Sequence, residues 1–412
     1  MDNLRNKESA PEIQKSSRLL SIDAFRGLTI LAMIFVNDLA GIRNIPAWMK
    51  HQLPNTDGMT FVDVVFPAFL FIVGMAIPLA IQNRLKKGDT PAKLWGHIFI
   101  RGAGLLALGL MMLNIGRLNE TLTGMNRHLW GLLMFLGVAL VWNQYPGRQN
   151  NEDIKFRYLY PGLRIAGFIL LGILLLIYRS GTPENPAWMH TAWWGILGLI
   201  GWAYLTCCAV YFIFKGELAA LVGVMAFFIL LYIGDNAHAI NIPFIQNYLS
   251  IGAHIGGHSS IALAGMITVL VITSKEKTHR AKMFWLSGFV LILFLSGLML
   301  RPLYGIDKNM ATPTWCLYSS AISCIIYMLL YWLTDVKKYT AWTSLIKPAG
   351  SNPLLAYILP DIFYMLLTLF HINVLSVYFG EGITGIVRSV VFSFLMVLIT
   401  AWFTKKNVRL HL

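Results

Sequence analysis

Apolar stretches of membrane-spanning length recur along the whole chain, and they constrain its fold more than any other feature. About 18 or more apolar residues are long enough to cross ~30 Å of hydrocarbon as a helix. The stretches lack the alternating pattern of a membrane β-barrel, so the spans should be helices that satisfy their own backbone hydrogen bonds. The sequence therefore predicts an all-α polytopic integral membrane protein with about 12 transmembrane helices, within a range of about 10 to 12. The predicted spans are 22–41, 60–82, 97–116, 128–143, 163–179, 192–214, 218–234, 259–274, 283–300, 314–333, 350–370 and 384–404.

The distribution of basic residues indicates the partner and the orientation. The net charge of +14 would by itself be compatible with nucleic-acid binding. Lys and Arg are concentrated in alternate connections, however, which is the pattern that orients membrane proteins. We therefore expect a lipid bilayer and no nucleic acid as partner, with both termini in the cytoplasm. A bacterial cytoplasmic (inner) membrane fits this pattern, and the oligomeric state is left open, with a homodimer as one alternative.

Composition predicts one membrane domain between two polar tails. We divide the chain into a cytoplasmic polar tail at 1–17, a single transmembrane domain at 18–404 and a cytoplasmic basic tail at 405–412. The first tail lacks an apolar core, so no cleaved signal peptide is expected and the first span would direct insertion. The four cysteines lie in apolar runs without CxxC spacing, so neither a disulfide nor a metal site is expected.

Polar groups near the ends of the first two spans point to chemistry at one face of the membrane. Arg26 lies at the start of the first span, Asn37 and Asp38 lie at its end, and Asp63 opens the second. Such groups are costly at membrane depth and usually line a site or a pathway. His51, in the connecting loop, can carry a proton near neutral pH.

Two interpretations of the first span remain open. Asp23 and Arg26 are spaced for an ion pair within one helix turn, which would be purely structural. Arg26 and Asn37, however, are eleven residues apart, which places them on nearly the same helix face, ~16 Å apart along the axis. That stripe matches the length of a pantetheine arm with its phosphates at Arg26. Arg101 at the start of the third span could join Arg26 around phosphates, or it could be only a positive anchor.

His51 and Asp63 also have two interpretations. A lone loop histidine is usually only solvated, whereas a position between two polar-ended spans favours catalysis. Thr60 and Asp63 fit the capping-box spacing that opens a helix. Asp63 could in addition orient His51, because a catalytic imidazole needs a partner on its second ring nitrogen.

Further polar residues are expected on the side of His51. The connection 235–258 has no Lys or Arg and ends in the glycine-rich GAHIGGHSS, which contains His258. Lys308 and Asn309 lie in the later loop GIDKNMATPTW. Asn352, in GSNPLLAY, marks a turn and helix start on the opposite side. We predict that Asp38, His258, Lys308 and Asn309 contact the substrate.

The opening motifs resemble a known family. RLLSIDAFRG, then FVN, a loop histidine and F-x-D-x-V-F-P-x-F-L-F-I-V-G resemble the heparan-α-glucosaminide N-acetyltransferase-like transmembrane acyltransferases. The resemblance implies a membrane enzyme that transfers acetyl from cytosolic acetyl-CoA to a glucosamine amine on the far side. It implies that His51 is the active-site histidine and that Asn37 is the family's helix-end asparagine.

The chain departs from the family pattern in regions that concern the acceptor more than the donor. Met134 and Phe135 replace a Gln-Arg pair, and GAHIGGHSS replaces an acidic loop motif. The span count also exceeds the family's, which we attribute to additional helices within 163–214.

These observations predict an acetyl-CoA-dependent acetyltransferase acting on an amino sugar or a related glycan amine. His51 would be the general base for direct transfer, with an acetyl-histidine intermediate as the alternative. Asp63 would orient His51, Asn37 would stabilise the thioester oxygen, and Arg26 and Arg101 would hold CoA phosphates. Rival interpretations are a multi-pass transporter of a sugar or amphiphile and a non-catalytic scaffold.

Overall fold

The structure, a computed structural model, describes residues 19–145, 154–240 and 242–411 and confirms the all-α class. The predicted tail at 1–17 lies outside the described residues. The one sheet of the described residues is a two-stranded hairpin, β1 Ser180–Thr182 with β2 Asn185–Ala187. The helices are α1 Leu20–Leu39, α2 Val62–Lys86, α3 Pro91–Ile115, α4 Glu120–Thr123, α5 Arg127–Trp142, α6 Ile154–Ile177, α7 Gly195–Phe214, α8 Leu218–Asn236, α9 Pro243–Gln246, α10 His258–Thr273, α11 His279–Tyr304, α12 Pro313–Tyr331, α13 Thr343–Ser351, α14 Pro353–Leu369, α15 Val374–Tyr378 and α16 Gly382–Lys405.

The number of membrane-length helices agrees with the predicted range. Among the described residues ten helices are long and apolar enough to cross a membrane, or eleven if the pair α13 and α14 forms one span. The predicted span 350–370 corresponds to α14, and α13, which the sequence did not predict, meets it at a bend of 85°. The predicted span 128–143 corresponds to α5, whose 16 residues make it shorter than the others. Within 163–214 the structure contains the last part of α6, the hairpin and α7, and the two helices correspond to the predicted spans 163–179 and 192–214.

Contacts between the connections define two ends of the bundle. At one end, which contains His51, the amide of Asn55 donates to Asp307, and the indole of Trp194 donates to the carbonyl of Tyr248. At the other end, the amide of Leu20 donates to Asp335. We call these the His51 end and the Leu20 end. Successive long helices run from one end to the other and back. The alternate connections that the sequence assigns to one side of the membrane therefore lie together at one end of the bundle.

The core of the bundle is the crossing of α2 and α10. α10 and its preceding turn form the most enclosed span, of which 89% is buried. The two backbones approach so closely that a Cβ atom on Gly74 would lie 1.6 Å from the carbonyl oxygen of Ala262. One on Gly265 would lie 1.9 Å from the carbonyl oxygen of Phe71. Small residues at such a crossing are typical of tightly packed membrane helices.

Asn352, in the break between α13 and α14, holds the end of the chain against the Leu20 end. Its amide nitrogen donates to the hydroxyl of Thr404 at 3.0 Å and to the carbonyl of Val408 at 2.9 Å. Its amide oxygen accepts from the backbone of Leu410, which is 2% exposed. Val408 and Leu410 thus anchor the predicted C-terminal tail to the membrane domain, whereas the basic side chains of the tail are exposed and Leu412 lies outside the described residues.

Candidate active site

A cavity of about 920 Å³ opens at the His51 end of the bundle. Its walls come from α1, α2, α7, α8, the turn before α10 and the loop that precedes α12. Five of the predicted site residues line it, although they are far apart in sequence: Asn37, His51, His258, Lys308 and Asn309. Asp38, Arg26 and Arg101 do not line it.

Asp63 makes the contacts that both of its interpretations require. Its Oδ2 accepts from the backbone amides of Thr60, at 3.1 Å, and Gln52, at 3.2 Å, so it caps the first turn of α2. Its Oδ1 lies 2.8 Å from Nδ1 of His51. Asp63 is only 1% exposed, whereas the side chain of His51 is 40% exposed. A buried carboxylate thus fixes the orientation of an accessible imidazole, as in many general-base sites.

Lys308 completes a three-membered cluster. Its Nζ lies 2.8 Å from Nδ1 of His51 and 3.4 Å from Oδ1 of Asp63. Burial lowers the pKa of Lys308, and the charge of Asp63 opposes that shift. Nδ1 either donates to Asp63 or accepts from the Lys308 ammonium, since one nitrogen cannot do both. When Nδ1 donates to Asp63, Nε2 carries the lone pair and can act as the base.

The opposite wall of the cavity is also polar. Asp235, at the end of α8, accepts from the backbone of Gly252 at 2.7 Å. The backbone of Ser250 donates to Nδ1 of His254 at 2.9 Å, so the proton of the neutral ring lies on Nε2. His258, which is 5% exposed, packs against Phe66 and Trp315. No described residue bonds to its Nδ1. This wall can both donate and accept hydrogen bonds.

The structure corrects the interpretation of 235–258 as an outer loop. α8 extends to Asn236, and a π-helical turn, Ile251–Gly257, continues directly into α10. His254 and His258 are therefore four residues apart in continuous helical backbone, and their rings stack at 6.1 Å. The π-helical turn also packs closely against α8. Glycine permits this contact, because a Cβ on Gly256 would lie 2.7 Å from the carbonyl oxygen of Phe228. Sequence reasoning overlooked Asp235 and His254, although the i,i+4 spacing of the histidines was a usable signal.

Asp38 has structural partners instead of a position in the cavity. It lies one residue beyond Asn37, so its side chain points to a different face of α1. Its carboxylate forms an ion pair with Arg388 of α16 at 2.9 Å and accepts from Ser389 and Tyr364. We therefore assign Asp38 to the packing of α1 against α16 and α14, which corrects the expectation of a substrate contact.

The two arginines predicted for the donor lie nearer the Leu20 end. Arg26 forms the expected ion pair with Asp23, at 3.5 Å. Arg101 is not at the start of its helix, because α3 begins at Pro91, ~15 Å earlier along the axis. Its guanidinium lies 4.9 Å from the centre of the Tyr204 ring. Partial burial, together with the charges of Arg101 and Arg409, lowers the pKa of His411. The three basic side chains therefore share one neighbourhood.

Two known proteins are similar in sequence to part of this chain. Heparan-alpha-glucosaminide N-acetyltransferase of Mus musculus is 36% identical over 132 residues, which are 31% of this chain and 19% of that protein. The Homo sapiens protein of the same name is 35% identical over 123 residues, 30% of this chain and 18% of that protein. The matches thus span less than a fifth of the length of these relatives.

A family model extends the similarity over a larger part of the chain. The model, described as "Domain of unknown function (DUF5009)", matches residues 18–250. That range contains α1, the loop with His51, Asp63 and the Asp235 end of α8. The match covers more than half of the chain, and we conclude that the protein is a member of the DUF5009 family.

Proposed function

We propose that this protein is a transmembrane acetyltransferase that moves an acetyl group from acetyl-CoA to the amine of an amino sugar or related glycan. One observation carries the proposal: a buried carboxylate, Asp63, orients His51 at the wall of a cavity that Asn37 also lines. The names of the partly matching relatives support the same class of reaction. We further propose that the Leu20 end, with both termini, faces the cytoplasm of a bacterial inner membrane; the oligomeric state stays open, with a homodimer as one alternative.

In the proposed reaction the acceptor amine attacks the thioester carbonyl directly. As the C–N bond forms, Nε2 of His51 takes the proton of the amine, and Asp63 stabilises the resulting imidazolium. The amide of Asn37 donates to the carbonyl oxygen as negative charge develops on it. The C–S bond then breaks, and the CoA thiolate leaves and is reprotonated by the imidazolium. Lys308 balances the charge of Asp63 while His51 is neutral.

The opposite wall would hold the acceptor. Asp235 supplies a carboxylate and His254 an N–H group, both suited to sugar hydroxyls or an ammonium. Lys308 and Asn309 lie on the side of His51, so they would contact the same molecule near the reacting amine. Trp193, whose exposed ring also lines the cavity, offers an apolar surface for the sugar ring.

The donor would enter from the Leu20 end. The α1 stripe from Arg26 to Asn37 spans ~16 Å, which suits an extended pantetheine arm between phosphates and thioester. Arg101 and Arg409 concentrate positive charge near that end, as a phosphate site requires. Arg26 would contribute as part of its pair with Asp23.

Replacing Arg101 by glutamine should weaken donor binding selectively. Removing a charge-assisted contact to phosphate costs about 1.5–3 kcal/mol, so the apparent KM for acetyl-CoA should rise by roughly 10- to 100-fold. The KM for the acceptor should stay within about twofold of the wild type. Arg280→Gln is the matched control, because Arg280 is exposed at the start of α11 at the same end. Equal donor kinetics for the two variants would make Arg101 a structural anchor only.

Transfer between compartments tests the proposed function directly. Purified protein is reconstituted into vesicles with labelled acetyl-CoA on one side and glucosamine on the other, and N-acetylglucosamine is measured by mass spectrometry. We expect product only when the donor faces the Leu20 end. N-acetylglucosamine offered as acceptor is the control, because its amine is already blocked. Absence of transfer to every amino sugar tested, together with no CoA binding, would contradict the proposal and favour a transporter.

The bent pair α13 and α14 is a feature of the described residues that favours a transporter. Interrupted helices often hold transported substrates near the bilayer midplane. Here, however, Asn352 at the break binds Thr404, Val408 and Leu410 at the Leu20 end of the bundle. The break thus lies at one end of the bundle, where the Asn352 side chain is fully engaged within the protein, and the enzyme interpretation is preferred.

A further inference from the structure

An apolar groove of about 670 Å³ separates α8 from α11 on the outside of the bundle. These helices are among the least enclosed spans, with 28% and 22% buried. The α8 wall runs from Val222 to Ile233, ~16 Å, which is about half of the ~30 Å hydrocarbon core. Ser296 supplies the one hydroxyl among the described residues that line the groove, and the other lining side chains are apolar.

The groove and the cavity are consecutive along one face of α8. Ile229 and Ile233 line the groove, and Asn236, three residues further on, lines the cavity. Spacings of three and four residues keep these side chains on one helix face. Tyr232 of the cavity and Tyr304 of α11 meet edge to face at 5.9 Å, at the level where the groove ends. The apolar groove is therefore continuous with the polar cavity, and the aromatic pair lies at the boundary between them.

We propose that the acceptor is an amphiphile, with an amino-sugar headgroup in the cavity and a hydrocarbon chain in the α8–α11 groove. The inference rests on the proposed acetyl transfer and names its substrate class. A chain anchored in the groove would place its headgroup at the His51 end, where Asp235 and Asn236 follow the apolar residues of α8. The amine would then reach His51 across the cavity. Lateral entry from the bilayer would also raise the local concentration of such an acceptor.

Gly288 gives a direct way to fill the groove without disturbing the fold. It lines the groove on α11, and a Cβ placed on it meets no heavy atom within 4 Å. A leucine at this position would thus project into the space that the hydrocarbon chain would occupy. Gly223 of α8 is a matched control, because its Cβ would also meet nothing within 4 Å and it does not line the groove.

The experiment compares methyl and octyl glucosaminide as acceptors for the wild type, Gly288→Leu and Gly223→Leu. We expect the wild type to show a lower KM for the octyl compound. Gly288→Leu should raise that KM about tenfold. The reason is that the leucine would displace one or two methylenes of the octyl chain, and each buried methylene contributes roughly fourfold to affinity. The KM for methyl glucosaminide should be unchanged, and Gly223→Leu should resemble the wild type with both acceptors.

Equal KM values for the two acceptors in the wild type would overturn the amphiphile proposal while leaving acetyl transfer intact. An equal effect of Gly288→Leu on both acceptors would also overturn it. So would a change of oligomeric state in Gly288→Leu with an unchanged KM ratio, because the groove would then be a subunit interface. Transfer to neither glucosaminide, in enzyme that binds acetyl-CoA, would reject the amino-sugar acceptor and this inference with it.

Discussion

Replacing His51 by alanine should reduce acetyl transfer by about 10²- to 10⁴-fold, the usual contribution of a positioned general base. The reason is that no other described imidazole at the surface of the cavity is held by a buried carboxylate, as His51 is by Asp63. Acetyl-CoA binding, measured by calorimetry on the detergent-solubilised protein, should remain within about twofold of the wild type, because the proposed phosphate contacts lie near the other end.

A matched control and a labelling experiment separate the interpretations of His51. His371→Ala should leave transfer unchanged, because His371 is exposed and lies outside the cavity at the same end. Wild-type protein mixed with labelled acetyl-CoA and no acceptor should carry no label after denaturation. Stoichiometric label that is absent from His51→Ala, together with ping-pong kinetics, would establish an acetyl-histidine intermediate instead. Full activity of His51→Ala would remove the residue from the mechanism.

Replacing Gly265 by valine should prevent stable folding. The first added carbon would lie 1.9 Å from the carbonyl oxygen of Phe71, and backbone atoms cannot rotate away as a side chain would. α2 and α10 would have to separate, with a loss of more than about 3 kcal/mol in the free energy of unfolding. We expect a large drop in monodisperse protein on size-exclusion chromatography and a lower Tm in detergent.

The matched control for this prediction is Gly223→Val, a similar substitution in a membrane helix. A Cβ on Gly223 meets no heavy atom within 4 Å, so steric effects should be absent. Only the difference in helix propensity between glycine and valine would act, and it is small. If the two variants had the same Tm, the close crossing of α2 and α10 would not be a determinant of stability.

The apolar spacing of the sequence was sufficient to predict the class of fold and most spans. The length of an apolar stretch shows directly whether it can cross the hydrocarbon core, so most predicted spans lie near the observed helices. Where a helix is short or bent, length is no guide. α5 has only 16 residues, and the break at Asn352 is stabilised by residues near 404–410 that no local pattern connects to it.

Prediction of the candidate site depended on how local its contacts are. Asp63 and His51 lie twelve residues apart around one helix start. The capping pattern therefore drew attention to Asp63, and the position of His51 in the short loop before that helix drew attention to the histidine. The approach of Lys308 to His51 joins loops 257 residues apart, and only the assembled bundle shows it. Asp38 was predicted to contact the substrate because the sequence of the first span gives no sign of its ion-pair partner, Arg388, which lies on the distant helix α16.

The seam between α2 and α10 has a mechanical consequence. Asp63 stands at the first turn of α2, and His258 is the first residue of α10, so the two polar walls of the cavity rest on the two helices that are joined most tightly. Alternating access requires the halves of a protein to rock about a site between them. Here the site lies next to the crossing of α2 and α10, where there is no room for a methyl group. A rocking motion at this crossing would bring the backbone atoms of the two helices into collision. A rigid frame of this kind suits direct transfer, in which the acetyl group passes from the donor to the acceptor while the helices that flank it stay in place.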